Sequence, residues 1–155
     1  MYPLKHFLFG FFFSLILFIF YPTIGFFGFL VIFLSSILID VDHYLYYVYK
    51  EKNISLRKSY HWFVKMEKKL NSLPKKQRDN AYGGILILHG TEVLMLLLLA
   101  YFFISKFFLF IFLGFSFHLC LDIIYFLKNN MRVDKISFFY DFLKFRKMKF
   151  INDLK

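Results

Sequence analysis

The chain has a single cysteine, Cys120, so no disulfide can form within it, and cysteine usage says little about its compartment. Lys and Arg are nearly absent from four long stretches, about 4–21, 23–43, 82–104 and 107–127, although the whole chain carries 20 Lys and Arg against 10 Asp and Glu. One half of each stretch, at 11–20, 26–34, 93–104 and 107–115, has almost nothing polar beyond Ser14, Tyr101 and a few glycines. A monomer then lacks a polar route across a bilayer, which counts against a channel or transporter. There is no internal repeat beyond two hairpins, and no stretch reads as a separate soluble domain.

Hydrophobic residues make up 59% of the chain and aromatic residues 25%, more than a soluble domain of 155 residues has room to bury. Each of the four charge-poor stretches falls within or close to the ~17 to 25 residues that a helical span requires. The expected fold is an all-α integral membrane protein: one membrane domain over 1–155, four transmembrane helices in two antiparallel hairpins, and basic amphipathic interfacial helices. A signal peptide starting at Lys5 is the weaker reading. No small-residue cleavage site follows, and the run continues through Tyr21-Pro22-Thr23 into more apolar sequence. All Lys and Arg except Lys106 lie at the first span's start, between the second and third spans, or after the fourth. The positive-inside rule then places both termini and the middle loop in the cytoplasm of a multi-pass inner (cytoplasmic) membrane protein.

The middle loop, 50–80, is patterned. Leu56, Tyr60, Phe63, Met66, Leu70 and Leu73 recur at three- and four-residue steps, with Arg57, Lys58, Lys65, Lys68 and Lys69 largely on other faces. This predicts a basic amphipathic helix ended by Pro74, either lying in the headgroup layer against anionic lipid or packed on the protein's own rim. The tail, 128–155, repeats the theme, with Phe138, Phe139, Phe142, Phe145 and Phe150 among Lys144, Arg146, Lys147 and Lys149. Beside a membrane span, aromatic and basic residues favour a lipid surface over single-stranded nucleic acid, so the expected partners are membrane lipids and not nucleic acid. The oligomeric state is left open.

Eight ionisable residues gather at one end of the four spans: His6, then Asp40, Asp42 and His43, then His89 and Glu92, then His118 and Asp122. Placing such a group in hydrocarbon costs roughly 2.5 to 3.5 kcal/mol, so their convergence points to function. His118 and Asp122 are four residues apart, and His89 and Glu92 three apart; on a helix each pair shares a face, as in helix-bundle metal sites. Asp40 and His43 share a face too, while Asp42 points elsewhere, toward a capping or supporting role. Candidate ligands are therefore Asp40, His43, His89, His118, Asp122 and His6, around one or two divalent ions (Zn, Mn or Fe). Glu92, or Asp42, is the expected general base, with Glu92 as a further ligand the alternative. A His-carboxylate network without catalysis is the competing reading. His61, in the loop helix, reads as an interfacial or surface residue.

At these positions the chain resembles the LexA-regulated, inner-membrane-associated metal-dependent hydrolase family and its archaeal relatives. The matching stretches are Lys5-His6-Phe7-Leu8-Phe9-Gly10, Ile39-Asp40-Val41-Asp42-His43, Leu88-His89-Gly90-Thr91-Glu92, and Gly114-Phe115-Ser116-Phe117-His118-Leu119-Cys120-Leu121-Asp122. The third departs from the family's His-Arg-Gly-x-Thr-His-Ser element, having one His and no Arg. The resemblance implies a membrane-embedded metal-dependent hydrolase. A paired-metal site suits phosphoesters, because two cations can neutralise both the attacking and the leaving oxygen. The expected activity is thus hydrolysis at the cytoplasmic leaflet of a phosphoester such as a phospholipid.

Overall fold

The computed structural model describes residues 3–131, 133 and 136–153; positions 1–2, 132, 134–135 and 154–155, which include parts of the expected basic tail, lie outside the described residues. The chain is mostly helical. Helix α1 (Pro3–Phe20) is followed by a 3-10 turn (Pro22–Ile24) and by α2 (Gly25–Leu38) and α3 (Val41–Glu51). Pro22 starts the turn where its missing N–H is not needed, and Gly25, at φ +65°, takes a left-handed conformation that a Cβ would strain.

Between α2 and α3 the helical ladder tightens, with the Asp40 N–H bonded to Ile37 O at 3.1 Å. The Ser35 hydroxyl bonds back to Val31 O and the Ser36 hydroxyl to Phe33 O, contacts of the kind that bend helices. The amphipathic α4 (Leu56–Ser72) is capped by the Ser55 hydroxyl, which accepts from Lys58 N, and it stops before Pro74. It is followed by α5 (Lys75–Arg78), β1 (Ala81–Tyr82), α6 (Thr91–Phe103), α7 (Phe107–Lys128), α8 (Phe138–Phe145), β2 (Lys149–Phe150) and a 3-10 turn (Ile151–Asp153).

Helix α7 packs against α2 and α6, and α1 against α2 and α7. Two elements are long and apolar enough to cross a membrane: the helical run Pro22–Glu51, at 30 residues, and α7, at 22. This corrects the four-span expectation in one place especially. The apolar stretch 82–104 is not one helix: residues 83–90 are irregular and α6 has 13 residues, about 20 Å at 1.5 Å per residue against a hydrocarbon core of about 30 Å. Helix α1 is likewise apolar and short.

Burial is inverted relative to a water-soluble fold. Among the described residues ten polar or charged side chains are buried, as many as apolar ones, while Phe12, Ile16, Phe26, Phe27, Leu96 and Phe103 face outward from their helices. A second, conventional core sits at the end carrying α4. There β1 and β2 pair in parallel, Ala81 with Lys149 and Tyr82 with Phe150, and Met66, Ala81, Phe150 and Ile151 are buried together. Phe63 and Leu70 of α4 pack on this core, so much of the helix's apolar stripe is spent inside the molecule; Leu56 and Tyr60 remain exposed, as does His61.

Candidate metal centre

Close packing of small residues brings the ligand-bearing helices together. A Cβ on Gly114 of α7 would stand 2.5 Å from Ile32 O and 2.9 Å from Ser36 N, so only glycine allows α7 this close to α2. At the same Ser36, a Cβ on Gly10 of α1 would collide with the serine side chain. His6 lies four residues before Gly10 and His118 four after Gly114, so each close approach carries a histidine inward on the same helical face. The two imidazoles stack, with centroids 3.9 Å apart.

The six expected ligands meet. Asp40 Oδ1 lies 3.5 Å from His43 Nε2, 3.6 Å from His89 Nε2 and 3.5 Å from His118 Nε2. Asp122 lies 3.3 Å from His6 Nε2 through Oδ1, and 3.8 Å from both His89 Nε2 and His118 Nε2 through Oδ2. The ligand atoms form two compact groups, His6 with His118 and Asp122, and Asp40 with His43 and His89. Each carboxylate also reaches an imidazole of the other group, the relationship expected of carboxylates placed between two ions. Two ligand atoms on one tetrahedral Zn ion, with bonds of ~2.0–2.1 Å, stand about 3.3–3.4 Å apart. The observed separations begin there and extend slightly beyond.

Two histidines are locked by their second ring nitrogen. His118 Nδ1 is 2.7 Å from Ser36 O, and His89 Nδ1 is 3.0 Å from Asp42 Oδ2. Each bond puts the ring proton on Nδ1 and turns the Nε2 lone pair into the cluster, which is the usual outer support of a metal-bound histidine. His118 Nε2 is buried with no hydrogen bond among the described residues. Four of the six side chains are sealed, at 3% exposed or less, whereas Asp40 and His43 are about a quarter exposed. The cluster therefore opens on one side, into a cavity of about 340 Å³ lined by Asp40, His43 and Asp122 at one end and by α4, α5, α7 and α8 around it.

No family profile, curated protein or solved structure matches this chain. The geometry stands alone.

Two expected roles change. His89 precedes Gly90, the N-cap of α6, so it is not on the helix with Glu92 and the three-residue spacing does not align them. Glu92 instead turns to the tail, accepting from Ser137 Oγ at 2.5 Å, Phe138 N at 3.0 Å and Phe139 N at 3.3 Å. It neutralises the open N–H groups at the start of α8, so its carboxylate is occupied there rather than serving as general base or ligand. Asp42, the other expected base, is buried behind His89 and takes the Leu88 N–H as well, at 3.0 Å. It is a positioning residue that fixes both the His89 ring and the irregular segment carrying it.

Sequence reading missed Ser36, whose contribution is a backbone carbonyl, and Arg78, which lines the cavity from α5. The adjacent Ser35-Ser36 pair, five and four residues before Asp40, was a signal for a bend in α2. For Arg78 there was none, because α5 reaches the cavity only through the tertiary fold.

Proposed function

We propose that this chain is a membrane-embedded, metal-dependent hydrolase, as the family resemblance implies, and that it acts at the cytoplasmic leaflet on a phosphoester such as a phospholipid, the substrate class that a paired-metal site suits. One observation carries the reading: Asp40 Oδ1 sits 3.5–3.6 Å from three Nε2 atoms, of His43, His89 and His118, at the floor of a cavity open to one side. Divalent ions bound there would polarise a phosphoryl oxygen and supply a nucleophilic water near neutral pH. The protein's own groups do the rest. Asp42 and Ser36 O hold two imidazoles in the tautomer that ligates, and the small residues of α1, α2 and α7 set the ligand spacing.

In this reading the molecule is a multi-pass protein of the cytoplasmic membrane with both termini inside. Helices α1 and α6 complete two hairpins in a locally thinned bilayer. The two long apolar helices, the outward-facing aromatic side chains and the lopsided distribution of Lys and Arg support it. The alternative is a non-catalytic metal-binding or metal-sensing network, favoured by the commitment of both Glu92 and Asp42 to other bonds.

The test is metal analysis of the purified chain together with release of headgroup or phosphate from phosphatidic acid and phosphatidylglycerol vesicles. Stoichiometric Zn, Mn or Fe with turnover that is lost in the His118→Ala, Asp122→Ala double variant supports the hydrolase. Bound metal without turnover favours the network. Absence of metal, with the double variant behaving as wild type, sinks both.

A further inference from the structure

Arg78 is the one Lys or Arg among the described residues that lines the cavity into which the His/Asp cluster opens. Its Nη2 donates to the Asn130 carbonyl at 3.0 Å, which anchors the guanidinium in place. Its Nε–H is buried and has no acceptor among the described residues. A buried guanidinium donor left without an acceptor is costly, and the Arg78 side chain that carries it borders a cavity large enough to admit one. The planar fork of a guanidinium matches the oxygens of a phosphate and gives charge-assisted bonds.

We propose that Arg78 is an anion-binding residue of this cavity, holding a phosphate group of a ligand that reaches the metal centre at Asp40, His43 and Asp122. The inference rests on the metal-centre reading.

The charges around Arg78 make the proposal conditional in a useful way. Asp40, Glu67, Asp122 and Asp141 line the same cavity, and Glu67 accepts from Tyr125 Oη at 2.5 Å. Among the described residues the carboxylates lining the cavity outnumber its one guanidinium, which disfavours an anion in the metal-free protein. Divalent metal at the cluster offsets these carboxylates, so phosphate is expected to bind the loaded protein more tightly. The remainder of the wall is largely apolar, including Phe63, Leu70, Leu86 and Phe126, which suits a phosphate carried on an amphiphile.

The experiment uses the full chain in mild detergent. Binding of Mn²⁺ or Zn²⁺ alone is measured first, then inorganic phosphate with and without the metal, for wild type, Arg78→Gln and Arg78→Lys. Both variants are expected to take up metal as wild type does. Phosphate affinity is expected to fall about 10- to 100-fold in Arg78→Gln, the worth of a charge-assisted bond, with partial recovery in Arg78→Lys. Dihexanoylphosphatidic acid separates the sources: tighter binding than inorganic phosphate assigns the site to a lipid headgroup, and equal binding assigns it to a soluble phosphate compound. Equal phosphate affinity in Arg78→Gln and wild type, with metal retained, overturns the clamp and leaves the metal centre standing. Absence of metal binding in every protein overturns the centre and the clamp together.

Discussion

His118 reaches across from α7 to the backbone of α2, its Nδ1 lying 2.7 Å from the carbonyl of Ser36. That carbonyl would ordinarily accept from the N–H of residue 40, but Asp40 N bonds to Ile37 O instead. The bend that ends α2 therefore does two things. It releases an acceptor for His118 and delivers Asp40 to the same place. A mid-helix tightening of this kind is a frequent marker of a functional site.

Removing His118 should then remove metal. His118→Ala is expected to lose the ion held with His6 and Asp122, and Asp40→Asn, whose carboxylate meets three imidazoles, to lose more. Elemental analysis of the purified variants checks this; full metal content in Asp40→Asn would contradict the placement of that carboxylate.

Asp42 supports a ligand without being one. Asp42→Asn is expected to keep metal stoichiometry but weaken affinity about 10- to 100-fold, the usual cost of losing a carboxylate behind a metal-bound histidine. Isothermal titration with Zn²⁺ measures it. Unchanged affinity would mean that the 3.0 Å contact with His89 Nδ1 does not orient the ring.

Glu92 should be a matter of the tail. Glu92→Gln is expected to cost about 1 kcal/mol at the start of α8, comparable to losing a helix cap, with metal binding unchanged. Hydrogen exchange at the Phe138 and Phe139 amides should quicken about fivefold, since both donate to this carboxylate. Loss of turnover without any change in tail exchange would restore the general-base role.

Two glycines offer a contrast. Gly114→Ala presses a methyl group onto the α2 backbone and should destabilise by about 1–3 kcal/mol while also weakening metal binding, because it moves His118. At Gly25 nothing lies within 4 Å, yet φ is +65°, so Gly25→Ala should cost about 1–2 kcal/mol and spare the metal. Thermal unfolding with a parallel metal titration separates packing from strain.

The ligand set was legible in the sequence because His118 and Asp122 do lie on one helix, where four-residue spacing fixes a shared face. Asp40 and His43 were legible for a related reason, although a helix break lies beside them. The third stretch misled because apolar composition does not distinguish a helix from a buried irregular segment. Gly83, Gly84 and Gly90 were the warnings, and once the helix begins at Thr91 the spacing of His89 and Glu92 has no meaning. The destination of Glu92 depends on the tail, 45 residues further on, and that of Arg78 on how α5 is seated; neither is encoded by local pattern.

The parallel pairing of Ala81 with Lys149 has a consequence for the order of assembly. Helix α8 contributes Asp141 and Phe145 to the cavity wall, and β2 completes the small sheet beneath it. During synthesis at about 5–20 residues per second, the apolar helices and all six ligand residues are made before either wall element. Until α8 and β2 dock, the ligand cluster lacks that part of its wall, and ions can reach it by a wider path than the finished protein allows.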